Sequence, residues 1–294
     1  MNIRRQFVET LSSILDDDPK LVLLLGDIGV FGFRHAIGNH PQRVVNIGIL
    51  EQATVSFAAG LAREGFHPVF HSIAPFVVER AYEQLKVDFG YQRLGGNFVS
   101  VGSSFDYAAL GCSHHCPGDI GALQSIPGMQ LVTPGNAAEF DSLFRQAYNN
   151  DSPTYFRLSE HSHSQELKVE FGKAVTVRTG SKATLVVAGQ LLEYALEATE
   201  GMDVTLLYYH TIEPFDTDTL KSHANKRVIA VEPFYEGTLA GNITKALPDT
   251  AIQLTSIGVP RQFLTNYGNL DEHEEACGFK PTPLRERIQS ILDA

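Results

Sequence analysis

The stretch VVNIGILEQATVSFAAGLAREGFHPVF, residues 44–70, places a single carboxylate, that of Glu51, inside a mostly apolar run. A β-branched segment leads to this acid, and small and apolar residues follow it from Ala53 to Leu61. The pattern predicts a strand that ends near Ile49 and a helix that begins near Leu50. Corners between strands and helices carry chemistry in α/β folds, so Glu51 is the first candidate functional residue.

Two interpretations of Glu51 remain open from the residues alone. In the first, it is a first-turn acid that the helix dipole stabilises. In the second, the small and apolar residues predict that most faces of the helix, and hence its first turn, are buried. A buried carboxylate resists ionisation and can share a proton with a ligand nitrogen.

A second chemical cluster is the segment GCSHHCPGD, in which Cys112 and Cys116 flank His114 and His115. Zinc ligands usually come from two separated pairs, and ligands crowded into so short a segment rarely close a tetrahedron. We therefore expect no metal site in this chain. The cysteines are interpreted as packing residues or as reactive neighbours of the histidines.

Composition excludes several classes of function. The chain has 294 residues, 43% of them hydrophobic, which is enough for two domains that each bury a core. A net charge of -11 argues against binding to a nucleic-acid backbone. Three cysteines and a polar start predict a cytoplasmic protein, and no apolar run approaches the ~18 residues of a membrane helix.

Strand-like and helix-like segments alternate along the whole chain, which predicts two doubly wound α/β domains with mainly parallel sheets. Polar residues without periodicity, SEHSHSQELKVE at 159–170, separate the two halves. We expect a first domain over residues 1–165 and a second over 166–294. The predicted strands are 21–27, 43–49, 67–73, 97–103, 129–134, 153–159, 183–189, 204–210, 227–233 and 251–258, and the main helices are 4–15, 51–64, 76–89, 136–148, 191–199, 238–246 and a terminal one.

Five segments in register resemble the transketolase family of thiamine-diphosphate enzymes. The segment NIGILEQATVSFAAGLAREGFHPVF is similar to the pyrimidine-binding domain of that family, with its Gly-x-x-Glu-Gln motif. The others are HSIAPFVVERAYEQLK (71–86), LGCSHHCPGDIGALQSIPGMQLVTPGNAAEF (110–140), SPTYFRLS (152–159) and YYHTIEPFD (208–216). The resemblance covers nearly the whole chain and implies a pyrimidine-binding domain followed by a transketolase C-terminal domain.

The resemblance gives roles to individual residues. It implies that Glu51 is catalytic, binding the aminopyrimidine ring of thiamine diphosphate and driving proton movement on it. Phe76, which by itself reads as a core phenylalanine, is expected to stack on that ring, next to Ile49. His114 is expected to be catalytic and to face the substrate. The expected substrate-binding residues are Asp27, His114, His115, Arg157 and Glu160.

The chain lacks the family's Gly-Asp-Gly segment, which holds the diphosphate through a divalent metal. We therefore expect a separate amino-terminal subunit to carry that site with Mg²⁺ or Ca²⁺. The expected assembly is a heterotetramer with two copies of each chain. The face that bears Glu51 and Phe76 is expected to be an apolar interface, so the isolated chain is expected to aggregate or to form homodimers.

Departures from the family pattern bear on the substrate. Glu160 stands where an arginine commonly binds the substrate phosphate, and Gly102 and Leu110 replace a histidine and an acid. We expect transfer of a two-carbon ketol or acyl unit from a ketose or 2-oxoacid to an aldehyde other than a standard pentose phosphate. The alternatives are a beta subunit of a 2-oxoacid dehydrogenase and a noncatalytic partner subunit.

Overall fold

The computed structural model describes residues 2–294, which form two sheets covered by helices. The strands of the first half are β1 Leu21–Leu25, β2 Val44–Asn46, β3 His67–Ile73, β4 Gly96–Val101, β5 Gln130–Val132 and β6 Pro153–Arg157. Its α-helices are α1 Ile3–Asp17, α2 Arg34–Asn39, α3 Glu51–Arg63, α4 Tyr82–Gln84, α5 Asp119–Leu123 and α6 Ala137–Ala147. Short helical turns lie at Ala108–Leu110, Cys112–His114 and Gly189–Leu191.

The second half supplies β7 Val175–Arg178, β8 Thr184–Ala188, β9 Thr205–Tyr209, β10 Thr211–Glu213, β11 Arg227–Tyr235 and β12 Gln253–Val259. Its helices are α7 Leu192–Ala198, α8 Thr217–His223, α9 Ala240–Ala246, α10 Leu270–Ala276 and α11 Pro281–Asp293. None of the helices described in residues 2–294 is long and apolar enough to cross a membrane.

The first sheet has seven strands in the order β10-β5-β6-β4-β3-β1-β2, and β1 to β6 pair in parallel. The second has five strands in the order β12-β11-β8-β9-β7, and only its edge strand β7 runs antiparallel. The α/β fold with two mainly parallel sheets that the sequence predicts is confirmed. The division at residues 165 and 166 stays a prediction.

The central strands are apolar on both faces because helices cover both sides of each sheet. In β1, Val22 and Leu24 point into one core, while Leu21, Leu23 and Leu25 point into the core on the opposite face. All five side chains are buried. A continuous apolar run, rather than an alternating one, is therefore the correct signature for these strands.

Several short elements, among them β7, α2, α5, α8 and α10, were not predicted, and two segments differ in structure from the expectation. The helix expected at 76–89 is interrupted: wide π-type turns, Phe76–Arg80 and Leu85–Tyr91, flank the short α4. No strand was predicted directly after 204–210, but residues 211–213 form β10, which pairs antiparallel with β5. The second half of the chain thus contributes an edge strand to the first sheet.

A buried ion pair lies at the junction of the two sheets. The Arg157 Nε atom donates to Asp119 Oδ2 at 2.7 Å, and neither side chain is exposed. The same carboxylate oxygen accepts from the Tyr155 hydroxyl at 2.9 Å. Nη2 of Arg157 donates to the Ser104 hydroxyl at 2.6 Å and to the carbonyl of Pro233, in β11, at 3.3 Å. Arg157 therefore connects strand β6 of the first sheet to strand β11 of the second.

Replacing one partner of this pair is expected to destabilise the protein strongly. Arg157→Met leaves the Asp119 carboxylate buried without a cation, so we expect the free energy of unfolding to fall by about 3–5 kcal/mol. The double variant Arg157→Met/Asp119→Leu removes both charges and is expected to lose less than the single variant. Urea titrations followed by circular dichroism measure both effects.

The matched control is Arg145→Met, since Arg145 makes a 3.0 Å ion pair with Asp141 on the exposed face of α6. Such surface pairs contribute about 0–1 kcal/mol, so its unfolding midpoint should stay close to that of the parent. A single variant Arg157→Met as stable as the control would contradict the assignment of Arg157 as the link between the two sheets.

Candidate active site

Glu51 is the first residue of helix α3, at the corner that follows strand β2. Gly48 turns the chain there with φ 85°, a left-handed conformation that glycine adopts without a steric penalty. The Asn46 side-chain oxygen accepts from the main-chain nitrogens of Asp27 at 3.0 Å and Gly48 at 3.2 Å, which ties this corner to the end of β1. The Glu51 side chain is only 2% exposed.

The buried carboxylate of Glu51 has a cationic partner, Arg80. Nη1 of Arg80 donates to both carboxylate oxygens, at 3.0 and 3.1 Å, and 40% of the Arg80 side chain is exposed. Charge-assisted hydrogen bonds of this kind offset the cost of removing a carboxylate from water. Arg80 was not among the predicted site residues. Its spacing four residues after Phe76, which places both on one face of a helical segment, was the available signal.

Arg80 connects Glu51 to two further predicted site residues. Its guanidinium carbon lies 4.0 Å from the centroid of the Phe76 ring, in a cation–π contact. The His114 imidazole meets the same ring edge-on, with centroids 5.2 Å apart and planes inclined by 71°. The structure therefore brings Glu51, Phe76 and His114 into one contiguous group, with Arg80 between Glu51 and Phe76.

The two neighbouring histidines of this loop, His114 and His115, lie in different environments. His115 is buried and packs on Phe105 and on His273 of helix α10, at centroid distances of 5.1 and 5.4 Å. Burial lowers the pKa of the His115 imidazole. His115 therefore faces the junction with the second domain, whereas His114 faces Phe76.

The cysteines of this loop differ in environment. Cys112 is exposed, whereas Cys116 is buried and its thiol donates to Glu79 Oε1 at 3.6 Å. Burial, with the neighbouring acids, raises the pKa of the Cys116 thiol well above its usual value. A thiol held protonated is a packing group rather than a nucleophile.

The four remaining predicted site residues lie in different places. Ile49 is 64% exposed and immediately precedes the α3 corner. Asp27 is exposed at the end of β1, and its Oδ1 accepts from the Asn46 amide at 3.1 Å. Arg157 is enclosed in its internal ion pair, which leaves no exposed surface for a substrate. Glu160 lines a separate surface cavity with Asp106 and Asp271.

A basic cavity of about 570 Å³ adjoins the loop that begins at Asp27. Its lining includes Arg4, Arg34, His35 and the ring of His71, together with Arg5 and Glu9, which form an ion pair with each other at 3.0 Å. His71 is buried and bonded through Nδ1 to the Val99 carbonyl at 2.8 Å, and its burial lowers its pKa to about 4. The arginines are therefore the fixed positive charges of this cavity. The cavity was not predicted, because its basic residues come from separate segments of the sequence.

Helix α3 exposes an apolar stripe beside the site. Leu50, Ala53, Phe57 and Gly60 follow one another at helical spacing, and all are exposed in the single chain. The expectation that most faces of this helix are buried is wrong, because small and apolar residues also occupy a face that is exposed in the single chain. Glu51 itself lies on the buried side.

Comparison with known proteins identifies both halves of the chain. Residues 1–164 match the family described as transketolase, pyrimidine binding domain, and residues 172–282 match transketolase, C-terminal domain. An uncharacterised 33.6 kDa protein of the fasciation locus of Rhodococcoides fascians is 35% identical, over 97% of this chain and 93% of that protein. A subunit of the apulose-4-phosphate transketolase of Phocaeicola vulgatus is 28% identical, over 92% of this chain and 90% of its own length.

Among solved structures, one described as a split gene transketolase, inactive beta4 tetramer, superposes with a TM-score of 0.86. It covers 100% of this chain and 98% of its own at 22% identity, a level at which the likeness establishes the fold. The resemblance seen in the sequence motifs is thereby confirmed. The chain belongs to the transketolase family, as a pyrimidine-binding domain followed by a transketolase C-terminal domain.

Proposed function

We propose that this chain is one subunit of a thiamine-diphosphate-dependent enzyme that transfers a two-carbon ketol or acyl unit from a ketose or 2-oxoacid to an aldehyde. The observation that carries the proposal is the buried carboxylate of Glu51 at the α3 corner, grouped with Phe76 and His114. Family membership supports the cofactor, and the geometry supports the choice of residues.

The group around Glu51 fits the pyrimidine end of the cofactor. A buried carboxylate beside an aromatic ring suits a flat nitrogen heterocycle that both donates a hydrogen bond and stacks. The Arg80 guanidinium, itself flat and rich in N–H donors, already makes both contacts. When bound, thiamine diphosphate would supply the nucleophilic carbon and the electron sink. In this proposal Glu51 exchanges a proton with the ring nitrogen, Phe76 orients the ring and His114 hydrogen-bonds a substrate oxygen.

A partner chain is proposed to supply the diphosphate end. The sequence contains no Gly-Asp-Gly segment, and its net charge of -11 does not favour a diphosphate. Two relatives, one named as a transketolase subunit and one described as a split gene transketolase, support a division of the enzyme between chains. We infer an amino-terminal subunit that holds Mg²⁺ or Ca²⁺, assembled as two copies of each chain.

The apolar stripe of α3 is the proposed contact with another chain. Leu50 and Phe57 are 57% and 52% exposed, and Ile49 extends the same patch. Leaving such side chains in water costs about 25 cal/mol per Å² of apolar surface, which association would recover. The position of the patch next to Glu51 supports a cofactor site that lies between two chains.

The charges of two cavities outside the Glu51 group give opposing indications about the substrate. Exposed Glu160 disfavours a phosphate at the position where relatives of this type place an arginine. The cavity lined by Arg4 and Arg34 offers a separate place for an anionic substituent. Donors with and without a phosphate therefore have to be compared directly.

A charge placed in the stripe is expected to prevent assembly. Phe57→Glu keeps helix α3, since residue 57 is exposed, but it puts a carboxylate into an apolar contact. We expect the complex with the amino-terminal subunit to weaken at least ten-fold, measured by size-exclusion chromatography with light scattering. Phe263→Glu, at an 80% exposed phenylalanine of the second half, is the control. Equal assembly by both variants would exclude the stripe as the interface.

Removal of the proton-exchanging group is expected to abolish turnover. Glu51→Gln keeps the shape of the side chain but cannot exchange a proton, so kcat should fall by about 10²–10⁴ in the assembled complex. The measurement is consumption of hydroxypyruvate, pyruvate and fructose 6-phosphate with thiamine diphosphate and magnesium, with each chain alone as a blank.

Glu64→Gln is the matched control, because Glu64 is an exposed acid at the other end of the same helix. Unchanged turnover in Glu51→Gln would remove Glu51 from the catalytic residues. The preferred donor distinguishes ketol transfer from decarboxylative acyl transfer, and a lipoyl-bearing partner would favour the dehydrogenase alternative.

A further inference from the structure

Arg80 makes the two contacts that a pyrimidine ring would need in this site. The carboxylate oxygens of Glu51 accept from Arg80 Nη1 at 3.0 and 3.1 Å, and the guanidinium lies over Phe76 with its central carbon 4.0 Å from the ring centroid. A ligand that hydrogen-bonds to Glu51 and stacks on Phe76 from this side cannot bind while the guanidinium remains there. One side chain therefore fills both halves of the recognition site.

We propose that Arg80 is an internal ligand that closes the pyrimidine pocket of the cofactor-free chain and that cofactor binding displaces it. This inference rests on the proposed function, since it concerns the same pocket. It assigns Arg80 a positioning role: the arginine holds Glu51 and Phe76 in their binding arrangement and then yields its place to the ring.

Burial explains why the pocket needs an internal ligand. The Glu51 side chain is 2% exposed, and a carboxylate removed from water without a partner is strongly unfavourable. A flat guanidinium satisfies it and also covers an aromatic face that would otherwise be partly exposed. Arg80 thus keeps Glu51 paired and one face of Phe76 covered when no ligand is bound.

The exposure of Arg80 explains how it can leave. Its side chain is 40% exposed, so the guanidinium can rotate into water without breaking any packed core. The next contact on the ring, His114, meets Phe76 edge-on and is independent of the guanidinium. A ligand that can bind only the open state has its apparent affinity reduced by the fraction of molecules in that state. Arg80 should therefore weaken ligand binding while it protects the site.

The test uses the isolated chain and the cofactor's heterocycle alone, 4-amino-2-methylpyrimidine, followed by NMR line broadening or calorimetry. Arg80→Gln removes the cation and most of the stack, so we expect the dissociation constant for this probe to fall about ten-fold. Arg80→Lys keeps a cation for Glu51 but no flat group and should give an intermediate value. Adding Glu51→Gln to Arg80→Gln should abolish the gain.

Arg145→Gln is the matched control, because Arg145 has a similar exposure, 41%, and a similar 3.0 Å ion pair away from the site. It should bind the probe as the parent chain does. Circular dichroism checks that each variant is folded, and Arg80→Lys carries the test if Arg80→Gln is not. Equal or weaker probe binding in both Arg80 variants, or no binding by any variant, would overturn the proposal.

The probe-binding experiment and the activity measurement can give different answers about Arg80 and about the proposed function. Tighter probe binding by the Arg80 variants in a complex that consumes no donor would support the internal ligand and count against the activity. Donor consumption by the assembled enzyme, together with weaker probe binding in the Arg80 variants, would support the activity and show that Arg80 assists the ligand instead of competing with it.

Discussion

A carboxylate that is taken out of water needs a proton, a metal or a cation, and Glu51 has the guanidinium of Arg80. The local structure around the site follows from this requirement. The Gly48 turn and the Asn46 bonds fix the corner at which Glu51 points inward. The wide turns at Phe76–Arg80 place the arginine against both the Glu51 carboxylate and the Phe76 ring. Wide turns of this type are frequent at functional sites in helices.

Much of the fold could be predicted from the sequence because its strands are buried on both faces. Short continuous apolar runs such as LVLLL in β1 are typical of strands buried on both faces, and the helices between them show the helical period of apolar residues. Strand β10 could not be predicted in the same way. It has three residues, and its place is set by pairing with β5 across 79 positions of sequence, from Thr211 to Val132.

The candidate site was predictable in part, because three of its residues lie in segments that resemble the family. Glu51, Phe76 and His114 carry motifs, and the structure brings them together. Arg80 lies in the segment 71–86, but nothing in that segment indicates that its side chain contacts Glu51. The basic cavity at Arg4 is formed by residues that are distant in sequence, so no local pattern predicts it. Arg157 shows the opposite case: it was expected to contact the substrate, whereas the folded chain encloses it in an ion pair with Asp119.

The edge strand β10 also bears on where this polypeptide can be divided. Because a strand from the second half closes the outer edge of the first sheet, a fragment that stopped at the linker would leave the main-chain groups of β5 without their neighbour. The fragment would also lose the Pro233 carbonyl that accepts from Arg157. The two halves are thus structurally interdependent. Separating them would expose the edge of β5, which could then pair with another chain. Cleavage of this chain between the two halves would therefore destabilise it more than a cleavage that left both sheets complete.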